Sequence, residues 1–215
     1  LEEVSRTEGI ALMLNESTNI DVPGTHPHSE QTVAKNIGAA LDRYENSRVI
    51  VSCFSSQLHR IQLILDEVAK RGRKVAFAGF SMVSNVEVAL RAREMKVPGD
   101  LIVKLQDAIK LPDSKVLIVC TGSQGESNAV LHRMATGAHK FIKIKSPDCV
   151  VMSSSPIPGN EPSVAGVVSN LLREGAVVIQ NGRTHQHGIG PIYLSGHAYY
   201  EDHVELVQRL TPKAY

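Results

Sequence analysis

The alternation of short apolar runs with stretches of helical periodicity constrains the fold most. Consecutive apolar residues, rich in Val and Ile, form the five central runs at residues 48–53, 74–79, 116–120, 148–153 and 176–180. Strands covered on both faces have this character, whereas half-exposed strands alternate apolar and polar residues. Helical spacing recurs over residues 29–45, 56–70, 162–174 and 198–210. The pattern predicts an α/β fold with a mainly parallel, doubly wound sheet and helices on both faces.

Two further apolar runs lie near the ends of the chain, at residues 10–14 and 191–194. A stretch rich in proline and histidine, DVPGTHPHSE, separates the first of them from the central runs. We therefore predict that both end runs are strand stubs of a different domain. The expected division is a host-domain stub over 1–27, an inserted domain over 28–186 and a return segment over 187–215.

The composition is that of an ordinary globular protein, with 42% apolar and 21% charged residues and a formal net charge of +1. No apolar run approaches the roughly 18 residues that cross a bilayer, so we expect no membrane partner. Cys53, Cys120 and Cys149 are isolated within apolar runs. Such cysteines are typical of buried, reduced thiols, which predicts a cytoplasmic location.

The loops that follow the predicted strands are the expected place for a ligand, because doubly wound sheets bind ligands at the carboxyl ends of their strands. These loops include TGSQGE (121–126), SSPIPGNE (154–161) and SGH (195–197). Hydroxyls, glycines and exposed backbone N–H groups at helix starts favour a phosphate. Each loop taken alone is about equally well explained as a structural turn.

The histidines offer weaker signals. His26 with His28 and His185 with His187 have the spacing of two zinc ligands on a strand, but two ligands do not make a zinc site. We therefore predict no metal site in this chain. His197, at the end of a predicted strand, is by frequency as often a hydrogen-bonded structural residue as a catalytic one.

Six motifs in order resemble the β-CASP region of ribonuclease J: LNESTN, SQLHRIQ, GRKVAF, TGSQGE, SSSPIPGNE and SGHA. Enzymes of that family insert a β-CASP domain into a metallo-β-lactamase domain and bind RNA in the cleft between them. The resemblance implies a 5′-to-3′ exoribonuclease and endoribonuclease in which two zinc ions activate a water. It also implies that residues 1–27 and 187–215 belong to the metallo-β-lactamase domain.

The resemblance assigns roles to individual residues. It implies that Glu16 and His197 are catalytic, with the acid orienting the histidine toward the scissile phosphate. It implies that Ser195 and Gly196 surround the 5′ monophosphate of the RNA. Further substrate-binding residues are expected in two loops of the cleft: Ser123, Gln124, Ser153, Ser155 and Asn160.

The family's metal signature, HxHxDH, does not occur in the 215 residues. A later metal-ligand histidine, in a stretch resembling PVHGEYR, would follow Tyr215. We therefore expect that the chain is a fragment, that it is inactive alone, and that both zinc ions are held elsewhere in a parent protein, which is expected to be a homo-oligomer.

Two other functions fit the same residues: a non-catalytic RNA- or nucleotide-binding α/β module, and a small-molecule α/β binding domain. Neither needs an acid paired with a histidine. Hydrogen-bond distance between the side chains of Glu16 and His197 would therefore favour the enzyme.

Overall fold

In the computed structural model, which describes residues 1–26 and 29–214, the chain divides into two compact units. The terminal unit contains the described residues of 1–28 and 195–215, and the central unit contains residues 29–194. Residues 187–194, which were expected in the return segment, lie in the central unit. The assignment of the terminal unit to a metallo-β-lactamase domain stays a prediction.

The central unit is built on a five-stranded sheet in which all neighbouring strands are parallel. The strands are β1 (Val49–Ser52), β2 (Lys74–Ala78), β3 (Val116–Cys120), β4 (Cys149–Met152) and β5 (Val177–Gln180). Their order is β2-β3-β1-β4-β5, which places β1 at the centre. Ile50 of β1 lies opposite Ile118 of β3 and Val150 of β4. The predicted parallel sheet is confirmed.

All four predicted helical stretches form helices, and the structure adds four further α-helices. Those of the terminal unit are α1 (Glu2–Thr7) and α8 (Tyr200–Leu210). Those of the central unit are α2 (Glu30–Arg43), α3 (Leu58–Ala69), α4 (Phe80–Arg91), α5 (Leu105–Ala108), α6 (Val130–Ala135) and α7 (Glu161–Arg173), with 3₁₀ turns at Asp113–Lys115 and Thr184–His187. The predicted stretches did not include α1, α4, α5 or α6. No helix of the described chain is both long enough and apolar enough to cross a membrane.

The sheet separates two apolar layers, because successive strand residues point to opposite faces. Val51 and Phe77 pack in one layer with buried residues of α2, α3 and α4. Ile50 and Ile118 pack in the other with residues of α6 and α7. The prediction of helices on both faces is confirmed. Because the helices after β1 and β3 lie on opposite faces, a crevice opens at the carboxyl ends of these two neighbouring strands.

The two end runs are not strands, which corrects the prediction of strand stubs. At residues 191–194 the carbonyl oxygen of Ile192 accepts a hydrogen bond from Ser153 Oγ, and that of Leu194 accepts one from Arg60. Side chains therefore bond the carbonyls that a neighbouring strand would otherwise take. Residues 10–14 make only two backbone hydrogen bonds to the C-terminal segment, one to residue 213 and one to residue 214, and not the repeated bonds of a β-ladder. Leu12 and Leu14 are exposed.

Candidate functional site

The terminal unit brings Glu16 and His197 together from positions 181 residues apart. Glu16 Oε2 lies 3.1 Å from His197 Nδ1. The Glu16 and His197 side chains are 40% and 50% exposed, so solvent and a ligand reach both. Since a carboxylate only accepts hydrogen bonds, Nδ1 is the donor and Nε2 of the same ring is left for another partner. This contact is the one that was expected to separate an enzyme from a binding module.

Backbone donors hold the Glu16 carboxylate in place. The N–H of Thr18 donates to Oε2 at 2.8 Å, and the N–H of Ala198 donates to Oε1 at 3.1 Å. These bonds, with that of Thr18 contributing most and that of His197 adding to it, lower the pKa of Glu16 from 4.5 to about 2. Glu16 is therefore ionised throughout the physiological range.

A short hydroxyl turn fixes the backbone of His197. Ser195 Oγ accepts a hydrogen bond from the N–H of His197 at 3.2 Å and another from Asn19 Nδ2 at 3.2 Å. Serine side chains close such turns on the backbone two residues on. Gly196 lies between them, and no atom of the other described residues, apart from its two chain neighbours, lies within 4 Å of where its Cβ would be. The turn leaves open space beside His197, and its use for a 5′ phosphate stays a prediction.

A second histidine, His203, lies near Glu16 and was not among the site residues predicted from the sequence. It is buried on the first turn of α8, with Nδ1 2.8 Å from Asn15 Nδ2. An amide NH₂ group only donates, so Nδ1 accepts and the ring proton is on Nε2. That Nε2 lies 3.9 Å from Glu16 Oε1 and has no hydrogen-bond partner among the described residues. No sequence spacing signals a contact that depends on a partner 188 residues away.

The two predicted loops of the central unit are adjacent, and Gln124 joins them. Its Nε2 donates to the carbonyl of Ser155 at 2.9 Å, and its Oε1 accepts from the N–H of Ile157 and from Asn160 Nδ2. Ser123 and Gln124 are buried, and Ser153 is fully buried with its hydroxyl bonded to Ile192. Ser153 thus presents no surface to a ligand in this arrangement. A role for these loop residues in RNA binding stays a prediction.

Comparison with known proteins places the chain in a family. The family model described as "Ribonuclease J, beta-CASP domain" matches residues 46–171. The chain belongs to the ribonuclease J family. The matched range covers all of β1 to β4, the strands around the central crevice, and extends into α7.

Curated relatives named ribonuclease J resemble the chain over nearly its whole length. The protein of Synechocystis sp. is 40% identical over 96% of the chain and 31% of its own length. That of Thermus thermophilus is 39% identical over 96% of the chain and 34% of its own length. That of Mycolicibacterium smegmatis is 38% identical over 95% of the chain and 35% of its own length. The chain therefore spans about a third of the length of the ribonuclease J relatives that it matches.

The described residues do not fit the two-zinc site that membership of the ribonuclease J family implies. Among residues 1–26 and 29–214, no three His, Cys, Asp or Glu side chains group closely enough to hold a metal ion. His185 and His187 lie in a 3₁₀ turn rather than on a strand, and His187 Nδ1 is 2.9 Å from the hydroxyl of Tyr44. His28, of the other pair, lies outside the described residues.

Proposed function

We propose that this chain is the β-CASP portion of an RNA phosphodiester hydrolase of ribonuclease J type, acting as a 5′-to-3′ exonuclease and as an endonuclease. The hydrogen bond between Glu16 and His197 carries the proposal. A binding module gains nothing from an ionised acid that fixes the ring of an exposed histidine, whereas proton transfer needs that arrangement.

The pair supplies a positioned proton carrier. Glu16 fixes the orientation of the His197 ring through Nδ1 and stabilises the ring when it is charged. Nε2 then carries the proton that passes to the oxygen leaving phosphorus. General acid catalysis of this kind contributes roughly 10²- to 10⁴-fold in rate. Phosphodiester hydrolysis needs a larger acceleration than that, so the pair is only part of the machinery.

The substrate of this activity is RNA that carries a 5′ monophosphate. Ser195 and Gly196 form the turn next to His197, and the open space there accommodates the 5′ group. Two zinc ions belong to the proposed enzyme and are held by residues other than those described. The enzyme works in the cytoplasm as a homo-oligomer.

Cleavage of 5′-monophosphorylated RNA by the full gene product tests the proposal. His197→Ala should lower the single-turnover rate by about 10²-fold or more while changing the RNA Kd little, since the proton carrier is lost and not the binding surface. His185→Ala, a change of an exposed histidine in the central unit, is the matched control and should cleave like the wild type.

The 215-residue chain alone should bind RNA weakly, with an affinity that falls as salt rises, and should not cleave it. Wild-type cleavage by the His197→Ala gene product would refute the proposal. So would cleavage by the 215-residue chain alone that His197→Ala abolishes, because the reaction would then not need the residues outside this chain.

A further inference from the structure

A polar pocket of about 350 Å³ lies in the central unit at the carboxyl ends of β1, β2 and β3. Ser55 follows β1, Ser81 follows β2, and Thr121, Glu126 and Asn128 follow β3. The pocket occupies the crevice between β1 and β3, where the following helices diverge to opposite faces of the sheet. Doubly wound sheets bind their ligands at such a point. Neither Glu16 nor His197 contributes to this pocket.

Phe80 precedes Ser81, a residue of the pocket lining, and is 91% exposed. It is the first residue of α4, next to Ser81 of the pocket lining. Gly79 before it has φ +110°, and a Cβ there would lie 2.8 Å from Thr121 Oγ1. Only glycine fits this tight turn against β3, and the turn leaves Phe80 outside the core.

A solvent-exposed phenylalanine at a ligand-binding edge needs an explanation, because burying such a ring is worth roughly 1.5–3 kcal/mol. The chain has only four phenylalanines, and two of them, Phe54 and Phe80, each lie two residues past the last residue of a strand, β1 and β2 respectively. Phe54 itself lines the pocket. One aromatic ring in the lining and a second, exposed ring next to Ser81 of that lining are suited to a ligand that has a flat face and a hydrogen-bonding edge.

The charges of the lining exclude a phosphate as the group that enters the pocket. Glu126 contributes a carboxylate, and no Lys or Arg is among the described residues that line it. Hydroxyls, an amide and a carboxylate fit a neutral group that donates hydrogen bonds. A nucleobase has this chemistry, and a carboxylate accepts specifically from an exocyclic amine such as N4 of cytosine.

We propose that this pocket binds one unpaired nucleobase of single-stranded RNA, which stacks on Phe80 and directs its amino edge toward Glu126. The proposal rests on RNA being the substrate, as proposed above, and adds a base-reading subsite in the central unit. Aromatic stacking tolerates every base, whereas Glu126 discriminates among them. The subsite should therefore favour cytosine over uracil, which presents a carbonyl oxygen where cytosine has its amine.

Fluorescence anisotropy of labelled 12-nucleotide RNAs with the 215-residue chain tests the stacking. Phe80→Ala should weaken binding of oligo(C) by about tenfold or more. Phe80→Trp should retain binding, and oligo(C) should quench the emission of this tryptophan, since the chain has no other. Val88→Ala, which removes a 54% exposed side chain from the same helix, is the matched control and should bind like the wild type.

The base edge is tested with oligo(C), oligo(U) and an abasic ribose-phosphate oligomer of the same length. The wild type should bind oligo(C) most tightly and the abasic oligomer most weakly. Glu126→Gln should remove the difference between oligo(C) and oligo(U), because an amide both donates and accepts. Thermal unfolding of each variant checks that it is folded.

Equal affinity of the wild type for the three oligomers, or no detectable binding of any, would overturn the subsite. So would unchanged oligo(C) binding by Phe80→Ala, and so would capture of a protein segment at Phe80 in place of RNA. These outcomes are distinct from failure of the proposed function, which is decided by the effect of His197→Ala on cleavage by the full gene product. Phe80→Ala binding like the wild type, together with a cleavage defect of His197→Ala, would refute the subsite alone.

Discussion

At the scale of single residues, directed hydrogen bonds set the geometry of the candidate active site. Asn15 fixes the proton of His203 on Nε2, Glu16 accepts from two backbone N–H groups, and His197 donates to Glu16. Each donor and acceptor assignment follows from groups that only donate or only accept. The arrangement sets the orientation of His197 without any contribution from a bound ligand.

The pKa of Glu16 is the first property that this arrangement predicts. The folded pKa, about 2, lies below the ordinary value of 4.5. Any stability that depends on this ionisation is therefore complete above about pH 4.5 and is lost as the pH falls toward 2. A carboxyl ¹³C NMR titration should place the Glu16 midpoint near 2 in the folded chain, and in the urea-unfolded chain near the usual value for glutamate. A folded midpoint near 4.5 would mean that the Thr18 and Ala198 bonds are absent.

The tautomer of His203 is the second property that this arrangement of hydrogen bonds predicts. Long-range ¹H–¹⁵N correlation spectra should show the ring proton on Nε2, facing Glu16. Asn15→Leu removes the donor to Nδ1 and should produce a mixture of tautomers. His59, exposed on α3, is an internal control whose signals should not change with that substitution. A proton on Nδ1 in the wild type would contradict the assignment.

At the scale of secondary structure, the sequence predicts what depends on local pattern. The Val and Ile run at 116–120 is a strand that is buried at every position, and the apolar residues spaced over 162–174 form the buried face of a helix. Residues 191–194 look equally apolar, yet buried side-chain donors take their carbonyls. Those donors come from residues 39 and 134 positions away, so no local window reveals them.

Arg60 is the donor that ties these elements together. It is 1% exposed, bonds Glu30 of α2 and Gln57 through side chains, and bonds the carbonyls of Ser153 and Leu194. Its guanidinium also lies 5.2 Å from the ring centre of Tyr193. A single side chain therefore donates hydrogen bonds to acceptors in α2, in the loop after β4 and in the segment before residue 195.

Arg60→Met should destabilise the chain by roughly 3 kcal/mol or more, because it leaves a partly buried carboxylate and two carbonyls without their donor. Arg91→Met, which removes an exposed arginine from α4, is the matched control and should change the free energy of unfolding by less than about 0.5 kcal/mol. Urea unfolding with an unchanged m value measures both. Equal stability of the two variants would show that the Arg60 contacts contribute nothing net.

At the scale of the whole molecule, the two units differ in how their backbones are bonded. The central unit pairs five strands in one sheet with a covered layer on each face. The terminal unit has two helices and no strand among its described residues. Glu16 and His197 belong to the unit with the sparser framework, and their approach depends on residues from both ends of the sequence. The sequence motifs pointed to Glu16 and His197, whereas the distance between their side chains could be known only from the folded structure.

Hydrogen exchange should report this difference. Amides of Ile50, Ile118 and Val150 lie in neighbouring central strands and should exchange slowest, near the rate set by global unfolding. Amides of Leu12 and Leu14, in an exposed segment without a ladder, should exchange faster by on the order of 10³ or more. Comparable protection of the two sets would imply a strand at residues 10–14 in solution.

The central claim is that Glu16 and His197 act on RNA as one unit, and a double-mutant cycle tests it most directly. Single-turnover cleavage of 5′-monophosphorylated RNA is measured for the full gene product with Glu16→Gln, with His197→Ala and with both changes. If the acid works only through the histidine, each single change slows cleavage and the double variant is no slower than His197→Ala alone. Fully additive losses, or a wild-type rate for either single variant, would contradict the claim.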